Sequence, residues 1–194
     1  MTKTKIYISG AQSTGKSTLC RELGRHLGYE VVTEAARDIM NADKIDFSKI
    51  ALDVTARDSF QNKVADEHIG RHIKAWNNLT TADNEVVGYV FDRGLDFLVY
   101  AAGFSTVAHK QYNWQKTRQY LMDLKNDNAL VVLLEPHEHL LKEDGVRAGL
   151  NMKGSYEVTF AIKVLLEVHG IPYIYVTTPD TMERVKLITN IIGA

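Results

Sequence analysis

At residues 5–9 the apolar stretch Lys-Ile-Tyr-Ile-Ser leads without a gap into Gly10-Ala11-Gln12-Ser13-Thr14-Gly15-Lys16-Ser17, and a helical pattern starts at Gly15. The eight residues satisfy G-x-x-x-x-G-K-[ST], and they stand where that motif requires, between a strand and a helix. Glycine lets the backbone wrap closely around an anion, while amides of the turn and of the helix N-terminus point at phosphate oxygens. Lys16 supplies a mobile charge toward the β and γ phosphates, and the Ser17 hydroxyl is the expected Mg²⁺ ligand. Gly10, Ser13, Thr14, Gly15, Lys16, Ser17 and Thr18 are therefore read as one cradle for a nucleoside triphosphate, with ATP and Mg²⁺ as expected cofactors. Such a cradle serves phosphotransferases, switches and motors alike, so the use made of the phosphate must be sought elsewhere in the chain.

The motif sits in a repeating pattern. β-rich apolar runs at 5–9, 29–33, 86–91, 129–135 and 171–177 alternate with helical patterns, which predicts a parallel sheet covered by helices. Residues 129–134 are almost wholly apolar, as a central strand buried on both faces requires, and Glu135-Pro136 stops the run. Helices are expected over 15–27, 34–40, about 94–101, 109–124, 152–169 and 179–192, with Pro179 in a first turn. The segment from Ser48 to Leu79 carries Ile50, Val54, Phe60, Val64, Ile69, Ile73 and Trp76 near helical spacing. It reads as one helix capped by Ser48, or as two broken at Gly70.

With 194 residues, 45% of them hydrophobic, the chain can bury one core, and no linker or repeat divides it. A single domain over 1–194 is expected. A net charge of −1 supplies no broad field for nucleic acid or an anionic membrane. The lone Cys20 cannot form an internal disulfide, and the N-terminus carries Lys3 and Lys5 but no long apolar leader, so a reducing cytoplasm is the expected location. No apolar run approaches the roughly 20 residues that span a bilayer.

Three further stretches carry chemistry. Val-Phe-Asp-Arg-Gly at 90–94 puts Asp92 and Arg93 at the carboxyl end of a predicted central strand, the edge where open α/β sheets bind ligands. Asp92 can hold Mg²⁺ through water, accept a proton from an attacking hydroxyl, or merely cap the next helix. Arg93 can grip a substrate phosphate. Thr-Glu-Ala-Ala-Arg at 33–37 sets Glu34 and Arg37 one turn apart, either as a base and an anion contact for the acceptor or as a simple surface pair. Lys-Glu-Asp-Gly-Val-Arg-Ala-Gly at 142–149 suits a lid over about 142–150, with Arg147 as the finger for the transferring phosphoryl group, or else a plain Asp144-Gly145 turn. Lys142, Lys153 and Arg118 fit solvated faces better. His68 and His72 have a metal-binding spacing but no third ligand, so a polar helix face is expected there. Trp76 and Trp114 are read as packing residues.

Taken in order, GAQSTGKSTL, TEAAR, VFDRG and EDGVR resemble the NadR/Ttd14-like P-loop family of the AAA_28 type, over roughly residues 4–150 and on toward the end. The resemblance implies a P-loop NTPase three-layer α/β fold with a five-stranded parallel sheet and a lid, similar to nucleoside and nucleoside monophosphate kinases. It implies that Lys16, Ser17, Asp92 and Arg147 serve ATP and Mg²⁺, with Glu34 and Arg37 near the acceptor. The residues before the first strand are too few for the adenylyltransferase domain of NadR proteins. Arg93 stands where the riboside kinase carries threonine, and its Asp-Arg-Gly is closer to thymidylate and deoxynucleoside kinases. The function implied is a phosphotransferase acting on a nucleoside, riboside or (deoxy)nucleoside monophosphate. Alternatives are a Ttd14-like GTP/ATP switch, which would bind a partner, or a kinase acting on a polynucleotide or a hydroxymethylated base. The absence of a guanine-reading N/T-K-x-D stretch weighs against the switch. Near-neutral charge weighs against a polynucleotide, each phosphate contact of which needs a Lys or Arg.

Overall fold

The structure, a computed structural model, describes residues 4–45, 50, 52–80, 86–126, 128–141 and 151–193. Five strands form one sheet: β1 (Lys5–Ser9), β2 (Glu30–Val32), β3 (Tyr89–Asp92), β4 (Ala129–Leu134) and β5 (Tyr173–Val176). All pairs are parallel and the order is β2-β3-β1-β4-β5, the five-stranded parallel α/β fold expected from the alternating pattern. Ile8 of β1 lies opposite Asp92 of β3. That register sets the glycine-rich turn after β1 beside the loop after β3.

Eight α-helices are described: α1 (Lys16–Leu27), α2 (Ala35–Ala42), α3 (Val54–Thr80), α4 (Asp96–Phe104), α5 (Ala108–Asn113), α6 (Gln115–Leu124), α7 (Met152–Val168) and α8 (Thr181–Ile192). Because side chains alternate across a strand, the sheet sorts its apolar residues into two cores. Ile6, Ile8, Val90, Leu130, Val132 and Leu134 pack on one face against Leu19 and Leu23 of α1 and Val185, Ile188 and Ile192 of α8. Tyr7, Phe91, Val131 and Leu133 pack on the other against residues of α3, α4, α6 and α7, among them Phe60, Leu98, Tyr120 and Ile162. Each such large side chain contributes about 1.5–3 kcal/mol by leaving water. Among the described residues no helix is long and apolar enough to cross a membrane.

Three local expectations need correction, and one alternative is decided: α3 is a single helix that runs unbroken through Gly70. Its first turn is capped by Asp53, whose Oδ1 accepts from the amides of Thr55 (2.8 Å) and Ala56 (3.1 Å), while Ser48 lies outside the described residues. The single helix expected over 109–124 is two, because Trp114 takes an extended ψ of 137°. Asn113 ends the first of them by turning its Nδ2 onto the His109 carbonyl at 2.8 Å, the competition with the backbone that makes Asn a poor interior residue. Pro179 stands outside α8, where Asp180 is the cap and accepts from the Glu183 amide at 2.8 Å. Finally, His68 and His72 do not line a polar face; both are buried. The Tyr7 hydroxyl lies 2.7 Å from His72 Nδ1, His72 Nε2 lies 3.1 Å from Asp123, and His68 Nε2 lies 3.1 Å from the Tyr120 hydroxyl. Among the described residues no group of three or more His, Cys, Asp or Glu is placed to hold a metal by itself. Trp76 carries the Lys5 ammonium 3.1 Å from its ring centre, at the start of β1 and so away from the glycine turn.

Candidate functional site

The turn between β1 and α1 is held in an unusual backbone path. Gly10 has φ +144°, and a Cβ there would stand 3.0 Å from the Leu134 carbonyl oxygen. Gly15 has φ +86° and Ser13 φ 58°, so the chain enters the left-handed region twice before the helix starts. Thr14 Oγ1 closes the turn by donating to the Ala11 carbonyl at 2.9 Å. Its start is anchored from α4: the fully buried Asp96 accepts from the Gly10 amide at 3.0 Å through Oδ1 and from the Gly94 amide at 2.8 Å through Oδ2. One carboxylate thus ties the turn to the loop after β3.

Lys16, only 5% exposed, donates from Nζ to the carbonyls of Gly10 (2.9 Å) and Ala11. Burial and then the neighbouring Arg93 cation push its ammonium down to about 8, against the pull of Asp96, Asp92 and Glu34. Ser17 follows on the first turn of α1, and its hydroxyl donates to Asp92 Oδ2 at 2.5 Å. Asp92 Oδ1 is buried and has no hydrogen-bond partner among the described residues. A hydroxyl and a carboxylate brought together, with one carboxylate oxygen left over, are the hard oxygen donors that suit Mg²⁺. Thr18 is exposed.

On the other side of Asp92, Arg93 has φ 107°, uncommon for a residue with a side chain. Its amide donates to the Ile8 carbonyl at 3.1 Å and its Nη2 to Glu34 Oε1 at 2.7 Å. The guanidinium also lies 4.9 Å from the Tyr100 ring centre, with Nη1 3.7 Å from Asp96. Burial disfavours this cation, but Glu34, Tyr100, Asp96 and Asp92 outweigh it and hold its proton more firmly than usual. Arg37 stands at the rim, half exposed and 3.8 Å from Glu34. Lys16, Ser17, Glu34, Asp92 and Arg93 therefore converge at the carboxyl edge of β1, β2 and β3. Arg147 and the segment 142–150 lie outside the described residues, as does Lys142.

The AAA_28 family model, an AAA domain, matches residues 5–184. The chain belongs to this AAA domain family. A search of curated proteins finds none that match the sequence. Among solved structures, a NadR protein in complex with NR superposes with a TM-score of 0.72 at 18% identity, covering 99% of this chain. This chain spans about half of that one, 52%. Deoxyadenosine kinase from M. mycoides with bound products covers 97% of this chain and is itself 98% covered, with a TM-score of 0.63 at 18% identity. Shikimate kinase from Acinetobacter baumannii in complex with shikimate gives 0.57 at 16% identity, over 98% of this chain and 93% of its own. All three share the fold.

Two residues of this AAA domain were not singled out in the sequence. Asp96 follows Asp92 by four residues, across the loop between β3 and α4, and its only signal is an acidic residue opening an otherwise apolar helix. Arg184 is 1% exposed on α8 and reaches under the glycine turn, donating from Nη1 to the Thr14 carbonyl at 2.7 Å and from Nε to the Thr178 carbonyl at 2.6 Å. Its signal was a charge in register with Ile188 and Ile192, on the buried stripe.

Proposed function

We propose that the chain is an ATP- and Mg²⁺-dependent phosphotransferase, one P-loop kinase domain over 1–194, whose acceptor is a nucleoside, riboside or (deoxy)nucleoside monophosphate. The observation that carries this reading is the buried Glu34–Arg93 pair, 2.7 Å apart at the strand edge next to Lys16. A carboxylate held in place by a fixed cation, beside a triphosphate cradle, is suited to orient an acceptor hydroxyl and take its proton. That the NadR protein was solved with NR, and a deoxyadenosine kinase with nucleotide products, supports an acceptor built on a nucleoside.

In this mechanism the amides of residues 11–17 and the Lys16 ammonium grip the β and γ phosphates, while the Gly10 amide stays on Asp96. Ser17 and Asp92 would hold Mg²⁺, which when bound neutralises phosphate charge. Glu34 accepts the proton as the acceptor oxygen attacks the γ phosphorus; the bond to the ADP oxygen breaks and ADP leaves. Arg147 is assigned the charge that develops on the three transferring oxygens. If the acceptor already carries a phosphate, Arg93 and Arg37 are the cations placed to meet it.

ATP consumption, measured with ribosides, deoxynucleosides, deoxynucleoside monophosphates and oligonucleotides as acceptors, tests this reading. Lys16→Ala is expected to abolish turnover, and Glu34→Gln to lower kcat by about 10²-fold or more. Arg93→Ala is expected to penalise a monophosphate acceptor more than its nucleoside. Wild-type kcat in Glu34→Gln, or GTP hydrolysis indifferent to every acceptor, would overturn it, the latter in favour of a switch.

A further inference from the structure

Helix α7 has one face on the sheet, through Ser155, Thr159, Ile162 and Leu166, and one face bare. On the bare face Tyr156, Phe160, Val164 and Val168 follow one another at i, i+4 spacing and are 47, 66, 37 and 73% exposed. Single exposed apolar residues are ordinary, but a continuous row along a helix marks a contact surface. Tyr175 of the edge strand β5 is also exposed.

The charges on that face indicate what covers it. Lys153 and Glu157 precede Phe160, Lys163 and Glu167 follow it, and all four are exposed, with loose pairs along the helix of 3.8 and 3.9 Å. Outward from Phe160, the residues at equal distance are Tyr156 and Val164, Glu157 and Lys163, Lys153 and Glu167, and Met152 and Val168. Within these four pairs each apolar residue is matched by an apolar one and each charge by its opposite. A two-fold interface demands this kind of self-complementarity, because if one residue meets a second, the second must meet the first.

We infer that the chain forms a two-fold dimer in which α7 packs antiparallel on α7 of a second copy, with Phe160 on the axis. Lys153 then stands level with Glu167 of the partner subunit, and Glu157 with Lys163 of the partner subunit. The rows of i, i+4 residues interdigitate, as they do when helices cross at about −50°. The partner is a second copy of this chain because its own α7 reproduces the reversed charge order.

Sedimentation velocity over low to high micromolar concentration, with circular dichroism to confirm folding, tests this. The wild type is expected to dimerise. Phe160→Asp, an exposed change that sets two carboxylates against each other on the axis, is expected to be a folded monomer. K153E and E167K alone each oppose like charges across the interface and should weaken dimerisation about ten-fold or more. Mixing these two variants pairs Glu with Lys at both sites and should restore it, although neither variant recovers its own intrahelical pair. A monomeric wild type, a Phe160→Asp protein that dimerises normally, or a mixture no tighter than its components would each overturn the proposal.

Discussion

Lys16 sits where burial and Arg93 disfavour its charge while three carboxylates favour it, and the balance leaves it near 8. A triphosphate needs the charged form. Above that pH, binding must therefore take up a proton: the affinity for ATP is expected to fall by about ten-fold per pH unit once pH exceeds 8. Calorimetry in buffers of different ionisation enthalpy would show the uptake, and Lys16→Met should remove it. Constant affinity from neutral pH to well above 9 would mean that Lys16 keeps its proton throughout. That Lys16 and Ser17 open the helix after a glycine turn is legible in the sequence because eight consecutive residues set it. The partner of Glu34 was not. Glu34 was matched with Arg37 on the same helix, whereas its short contact is with Arg93, 59 residues away. Only the adjacency of β2 and β3 brings those two together.

Among the elements, α3 was predicted as a helix from its apolar spacing, yet the character of one face was misread. With no third ligand near them in the sequence, His68 and His72 read as a polar helix face, but the Tyr7 and Tyr120 hydroxyls that satisfy them come from β1 and α6. Periodicity locates a buried face; it does not reveal polar partners arriving from other elements. The consequence is measurable. Burial, with a lesser repulsion from His72, lowers His68 from 6.5 to about 4, and burial also lowers His72. The unfolded chain thus takes up protons first as pH falls, so the contribution is fully present above about 6.5 and is lost on the way down to 4. Urea unfolding is expected to show stability falling by about 2 kcal/mol from His68 alone between pH 7.5 and 5. His68→Phe should flatten that slope, and an unchanged slope in this variant would place the acid sensitivity elsewhere.

At the scale of the whole molecule, the alternation of strands and helices was enough to read a five-stranded parallel sheet, but not its order or the reach of α8. Arg184 joins α8 and the loop at Thr178 to the glycine turn, although 170 residues separate it from Thr14. Arg184→Leu keeps the bulk but leaves the Thr14 and Thr178 carbonyls without a donor. It is expected to destabilise the fold by about 2–4 kcal/mol and to weaken ATP binding through the displaced turn. Wild-type urea midpoint and affinity in that variant would deny Arg184 any hold on the turn. The sheet order also dictates a timetable. β1 is central, flanked by β3 and β4, and the Gly10 amide depends on Asp96. On the ribosome the glycine turn emerges before the other parts of the site, yet it stays a loose strand end until residues 89–96 and then 129–134 have been synthesised. Of all the site's parts, the earliest translated is among the last to be assembled.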